Sequence, residues 1–237
     1  MYGWRARIGV LVLASDPVPE CDLYKMAPEG ISLHFSRMRE KGEVTIETLK
    51  KLSNEVENAA ELLRLLEPNV VAFCCTSGSF IGGIGYDREI MKRIERKVPC
   101  SVATTTTTAI VEALKKFEAK NISIATPYTR EINKVAKDFF EKQGFRVKEI
   151  KGLDLTTGMS KQPTSVIYSL SKSVFKPGTD SIVISCTALQ ALDIIEPLER
   201  DLEVPVITSN QATMWNALRR AGVNERINGF GQLFERY

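Results

Sequence analysis

VVAFCCT (70–76) and SIVISCT (181–187) are two copies of one pattern, an apolar run ending in cysteine and threonine, which pairs Cys75 with Cys186 and Thr76 with Thr187. Each copy leads through a helical stretch to Val-Pro and a second short apolar run, VPCSVATT (98–105) in one half and VPVITSNQ (204–211) in the other. Each then enters a helix carrying Ala-Leu and two basic residues, ALKK (113–116) and ALRR (217–220). RIGVLVLASD (7–16) and NISIATPYTR (121–130) open the two halves. A unit written twice predicts two similar lobes, 1–115 carrying Cys75 and 116–237 carrying Cys186, with a C-terminal tail able to cross back. No Pro/Gly/Ser-rich linker parts them, so they are expected to share a cleft.

The runs IGVLVLA (8–14), VVAFCC (70–75), CSVA (100–103), NISIA (121–125), SIVIS (181–185) and VPVIT (204–208) are continuous and apolar, as strands buried on both faces of a parallel sheet are. ISLHFSRM (31–38) alternates at period two and reads as a further strand. Helical patterns fill the gaps at 46–66, 87–96, 109–117, 130–143, 165–175, 189–202 and 212–221, with breakers at Pro68, Gly144 and Gly222. The alternation predicts an α/β protein of two pseudo-symmetric, doubly wound, flavodoxin-like lobes. Each lobe is expected to hold a four-stranded parallel sheet, with the active site in the cleft between them.

Composition narrows the function. The 32 basic and 29 acidic residues are spread along helices, which argues against a nucleic-acid footprint and leaves a small anionic substrate as the expected partner. The longest apolar run, Ile8 to Ala14, falls far short of the roughly 20 residues that span a bilayer. MYGWRAR has no apolar signal core, and five cysteines without disulfide spacing suit a reducing cytoplasm.

Ligands of open α/β sheets sit beyond the carboxyl ends of the strands, where Cys75 and Cys186 both fall. Facing lobes would set the thiols on opposite sides of one cleft, with the backbone N–H groups of Thr76 to Ser79 and Thr187 to Leu189 turned toward an anion. Free amides at a helix start bind anions and lower a thiol's pKa from its ordinary value of about 8.5. One thiolate adds to, or takes a proton from, one face of a substrate while the other thiol serves the opposite face. The expected outcome is inversion or isomerisation of a small carboxylate without a cofactor.

The remaining candidates read as structural. Cys74 points away from Cys75 on a regular strand and belongs to the core, and Cys21 and Cys100 have no partner. No Cys-x-x-Cys pair or second histidine exists, so no metal site is expected. His34, the single histidine, falls on a polar strand face. SGSFIGGIG (77–85) lacks the Lys-Ser/Thr of a phosphate loop and reads as a mobile flap or turn over the cleft. The five threonines at 104–108 read as a helix cap, with Asn210 a possible cleft residue in the second half. Asp193 and Glu196 read as solvated helix positions.

PEGISLHFSRM (28–38), CTSGSF (75–80), SCTALQALDIIEPLE (185–199), VPVITSNQATMWNALRRAG (204–222) and GFGQLF (229–234) resemble the aspartate/glutamate racemase superfamily, in its maleate isomerase and arylmalonate decarboxylase branch. The resemblance implies that Cys75 adds to a double bond to give an adduct whose C–C bond rotates, with Cys186 as its acid/base partner. Tyr128 falls where this branch has a tyrosine that binds the substrate carboxylate or oxyanion. The substrate contacts expected beside it are Asp16 and, from the chain after each cysteine, Thr76, Ser77, Gly78, Thr187 and Ala188; the resemblance further implies a homo-oligomer. Decarboxylases have glycine at the position of Cys75. Amino-acid racemases carry Cys-Asn-Thr and Cys-Thr-Glu where this chain has Cys-Thr-Ser and Cys-Thr-Ala. Isomerases have asparagine at Asp16 and near Gly158. An ionised Asp16 would repel a dicarboxylate, which favours an ammonium-bearing or monoanionic substrate. The alternatives are an amino-acid or hydantoin racemase, an arylmalonate-type decarboxylase, and a non-catalytic carboxylate-binding or thiol-redox protein.

Overall fold

A computed structural model describes residues 2–237. The first half runs β1 (Ala6–Leu13), α1 (Val18–Met26), β2 (Ile31–Met38), α2 (Ile46–Glu61), β3 (Val70–Cys74), α3 (Thr76–Phe80), α4 (Tyr86–Lys97), β4 (Val102–Thr105) and α5 (Thr106–Lys116). The second half runs β5 (Asn121–Thr126), α6 (Arg130–Lys142), β6 (Arg146–Gly152), α7 (Thr164–Val174), β7 (Ser181–Ile184), α8 (Ile195–Leu202), β8 (Val206–Thr208), α9 (Ser209–Arg220) and α10 (Gln232–Arg236). Two four-stranded sheets result, ordered β2-β1-β3-β4 and β6-β5-β7-β8, and every pairing is parallel. Counterpart strands therefore occupy counterpart places, as the repeat predicts. Among the described residues no helix is long and apolar enough to cross a membrane.

The differences from the sequence reading have local causes. β6, RVKEIKG, escapes the hydrophobic pattern because only Val147 in it is buried, as suits the edge of a sheet. The helices expected from 109 and 212 begin three residues earlier, at Thr106 and Ser209. Their caps explain the shift. Thr105 accepts the Thr108 N–H at 3.1 Å and Thr208 accepts the Gln211 N–H at 3.3 Å, each filling one of the orphan donors of a first turn. The helix expected from 189 begins only at Ile195, after a turn and a short 3-10 segment at Leu192–Ile194. The stretch expected as a mobile flap instead opens as α3, whose five residues are all buried.

The halves are tied together across this region. Phe80 of α3 is fully buried and packs on Tyr128 and Phe139 of the second half, with ring centroids 6.2 and 6.3 Å away. Burying such a ring contributes about 2 kcal/mol or more. Around it hydroxyl and amide groups pair between halves: Thr76 with Ser209 at 2.8 Å, Thr213 with Thr106 at 2.9 Å, and Thr104 with Asn216 at 2.6 Å. These polar groups sit at or near zero exposure and satisfy one another, as burial requires. The contacts hold the carboxyl ends of both sheets around one space.

Candidate active site

That space is a cavity of about 320 Å³. Asp16, Cys75, Thr76, Ser77, Tyr128, Cys186, Thr187 and Ala188 line it, each following a strand of one sheet or the other. Gly78 does not. It lies beneath the first thiol, where a Cβ would come within 2.9 Å of Cys75 Sγ and 3.1 Å of Leu52. Its missing side chain is therefore room for the sulfur.

Cys75 caps α3 from an extended backbone. The Ser79 N–H closes the turn onto the Cys75 carbonyl at 3.1 Å, and the Ser79 hydroxyl bonds the same carbonyl at 3.0 Å and that of Thr76 at 2.8 Å. The amides of Thr76, Ser77 and Gly78 are thus left without an acceptor inside the helix. Ser79, expected among the donors, is spent. Cys186 has no helix behind it; the Leu189 N–H turns back to its carbonyl at 3.3 Å. Asn210 holds the Thr187 carbonyl at 2.9 Å and Asp22 at 2.8 Å, so it braces the site from behind rather than lining it. Cys74 is fully buried, its sulfur 3.9 Å from the Asn210 side chain.

Electrostatics depart from the expectation of a helix-end thiolate. Burial pushes the Cys75 thiol up to about 12, with the charge of Asp16 acting the same way, while the Gly78 N–H and the Ser77 side chain pull against it. Burial and Asp16 likewise push Cys186 up to about 12 against the Ala188 N–H and Tyr128. Desolvation outweighs the amides, and both thiols rest protonated at neutral pH. Burial also holds Tyr128 well above the ordinary phenol range. Among the described residues its hydroxyl makes no hydrogen bond of good geometry, although the Ser77 and Cys186 side chains lie near enough to act on it, as does Cys75. A buried donor left unpaired costs about 1–3 kcal/mol, which a ligand oxygen in the cavity would return.

Asp16 is buried in the same cavity wall as the two thiols. Its Oδ2 accepts the Thr187 hydroxyl of the other half at 2.9 Å and its Oδ1 accepts the Val18 N–H at 3.1 Å. Burial nevertheless raises its pKa to about 6, so near neutrality it is far less committed to the charged form than the sequence suggests.

Two loops complete the wall: Glu40 to Val44 after β2, and Thr156 to Lys161 after β6. They meet where the Val44 N–H bonds the Thr156 carbonyl at 2.8 Å. Glu40 is anchored by the Ser15 N–H at 2.9 Å and by the Gly42 N–H. Gly158 is in this wall with φ +70, and a side chain there would meet nothing within 4 Å. Leu13, Leu49, Leu52 and Met159 supply apolar lining. Apart from Gly158, no residue of either loop carries a sequence signal: the second loop follows β6, which leaves little hydrophobic pattern, and nothing local marks the first, after β2, as facing the cavity. Among the described residues no three His, Cys, Asp or Glu side chains are placed to hold a metal ion. His34 lies on β2, bonded to Ser32 at 3.0 Å and away from the cavity.

Residues 23–234 match the model of the arylmalonate decarboxylase family. The chain is 26% identical over 241 residues to a maleate isomerase of Pseudomonas putida, covering 96% of each. It is 29% identical over 201 residues to the arylmalonate decarboxylase of Bordetella bronchiseptica, covering 82% of each. Its fold superposes with a TM-score of 0.92, at 22% identity and over 98% of this chain and 99% of the other, on a cysteine-to-serine mutant of the Nocardia farcinica maleate cis-trans isomerase that carries a covalently bound succinylcysteine intermediate.

Proposed function

The chain belongs to the arylmalonate decarboxylase family, and within it we propose that the protein is a cofactor-independent cis-trans isomerase of a small unsaturated carboxylate, maleate or a close relative, working through Cys75 and Cys186. The observation that carries this reading is the presence of both thiols on the wall of one cavity, each at the end of a counterpart strand.

In the proposed reaction the substrate carboxylate lies against the amides of Thr76, Ser77, Thr187 and Ala188 and the Tyr128 hydroxyl. Cys75, having lost its proton to solvent, adds as the thiolate to one alkene carbon. The π electrons take the proton of the Cys186 thiol at the other carbon, leaving Cys186 as thiolate. The former double bond is now single and rotates. Cys186 then removes a proton from that carbon, the double bond re-forms in the trans geometry, and the C–S bond breaks to return the Cys75 thiolate. Atoms and charge are restored at each turnover. The amides and Tyr128 are aimed where negative charge builds during addition, where fixed donors contribute most. The succinylcysteine adduct of the Nocardia enzyme supports a covalent route for a protein of this fold.

The family and the Bordetella relative favour one second reading, decarboxylation of a substituted malonate with Cys186 protonating the carbanion. Cys75 stands against it, because the decarboxylase resemblance places glycine there. Proton NMR of the purified protein with maleate, and separately with phenylmalonate, decides between them. Fumarate appearing from maleate without added cofactor supports the isomerase. Loss of carbon dioxide from phenylmalonate with maleate untouched supports the decarboxylase, and inertness to both overturns the cysteine-pair reading.

A further inference from the structure

Asp16 stands at 3% exposure with two acceptor bonds to offset its charge, from the Val18 N–H and the Thr187 hydroxyl. The charged groups facing it oppose one another: Asp22 of α1 disfavours its anion and Arg37 of β2 favours it, with Glu40 of the loop after β2 in the same cavity wall. Cys74, Cys75 and Cys186, by the ends of β3 and β7, face it as neutral thiols. The cation on β2, Arg37, reaches only the Asp16 carbonyl, at 3.5 Å, and is engaged by the carbonyls of Leu13 and Ala14 and by Glu20 at 2.8 Å. A protonated carboxyl keeps acceptor capacity for both existing bonds and gains one donor.

We propose that Asp16 is the proton-gated specificity residue of the cavity: as a neutral acid it donates a hydrogen bond to a substrate carboxylate held between Cys75 and Cys186, and as a carboxylate it excludes that anion and holds both thiols protonated. The inference rests on the cysteine-pair reading above. Burial already brings the Asp16 pKa to about 6, and a second anion beside it acts in the same direction. Binding of a carboxylate is therefore coupled to uptake of a proton by Asp16. An acid carrying its proton does here what an amide does without one, so a dicarboxylate is admitted, and admitted better as pH falls.

Two measurements test the gate. Succinate, an unreactive dicarboxylate, is titrated by calorimetry between about pH 6.5 and 8.5, in buffers of different ionisation enthalpy. Wild-type affinity should fall about tenfold per pH unit with about one proton taken up, and Asp16→Asn should bind with neither dependence. Thr187→Val, which removes a bond that favours the charged form, should move the midpoint to higher pH. A pH dependence that survives in Asp16→Asn, or is missing from the wild type, overturns the gate. Failure of succinate to bind either protein at any pH sinks the carboxylate reading itself and the gate with it. Without ligand, iodoacetamide labelling of Cys75 and Cys186, read by mass spectrometry at about pH 8, should be about tenfold faster in Asp16→Asn, one pKa unit of thiol acidity. Equal labelling rates with an intact thermal transition overturn the effect on the thiols.

Discussion

The two strand-Cys-Thr copies share a backbone plan and differ in what surrounds the sulfur. After Cys75 the chain enters a helical turn, and the third residue on, Gly78, clears space for the thiol. After Cys186 it enters an open turn, and the third residue on is the buried Leu189. Both threonines reach across to the opposite half, Thr76 to the neutral hydroxyl of Ser209 and Thr187 to the carboxyl of Asp16. Yet both thiols are pushed to the same level, about 12. The asymmetry is thus one of neighbours rather than of acidity. Cys75 has the first-turn amides of α3 and the room left by Gly78, whereas Cys186 has the Ala188 N–H and Tyr128, with Asp16 acting on both. The repeated unit sets the symmetry, and contacts between the halves break it.

Substitutions that strike one half-site at a time probe that division. Cys75→Ser should lower maleate conversion at least about 10⁴-fold, as loss of a nucleophile does. Cys186→Ser should lower it about 10²- to 10⁴-fold, the range of a general acid/base. The comparison is of kcat by NMR, and equal losses would dissolve the division of roles. Next in size is Tyr128→Phe, with about a 10²-fold loss in kcat/KM and no loss in melting temperature, because the hydroxyl removed is buried and unpaired. A lowered melting temperature would show that the hydroxyl serves the fold instead.

Gly78→Ala places a methyl 2.9 Å from Cys75 Sγ, and it should cost about 1–3 kcal/mol in urea unfolding along with activity, as overpacking does. Cys75 labelling should slow while Cys186 labelling stays unchanged; a change at both would mean the halves are coupled through the backbone. A comparable effect lies in stability against pH. Asp16 has a folded-state pKa raised to about 6, so its stabilisation is present below the ordinary aspartate range and is lost as pH rises through about 6. Asp16→Asn does not lose it. The variant should gain on the wild type by about 2–3 kcal/mol between pH 4 and pH 8 in paired urea titrations, and a constant difference would contradict the buried carboxylate.

Strands buried on both faces were legible because their apolar runs record burial residue by residue. β6 was not, since an edge strand with one buried residue leaves little pattern. The loops at Glu40 to Val44 and Thr156 to Lys161, Gly158 apart, were invisible for a related reason: nothing local marks a residue as facing a cavity built by two sheets. The cap at Thr105 is intermediate. The threonine run announced a cap, but only the bond to Thr108 set which threonine begins the helix; at Thr208, read as strand, the cap shows only in the bond to Gln211.

By itself the sequence determined the α/β alternation, the duplicated unit, and the place of Cys75 and Cys186 at strand ends, all of which are written in neighbours close along the chain. The tertiary structure alone decided the protonation of those thiols, the unpaired Tyr128 hydroxyl and the ambivalent charge of Asp16. Desolvation and hydrogen-bond pairing are set by groups far apart in sequence, and the bond between Asp16 and Thr187 joins residues 171 positions apart. No local pattern can carry that information, because the low dielectric that raises a pKa exists only once both halves have closed around the group.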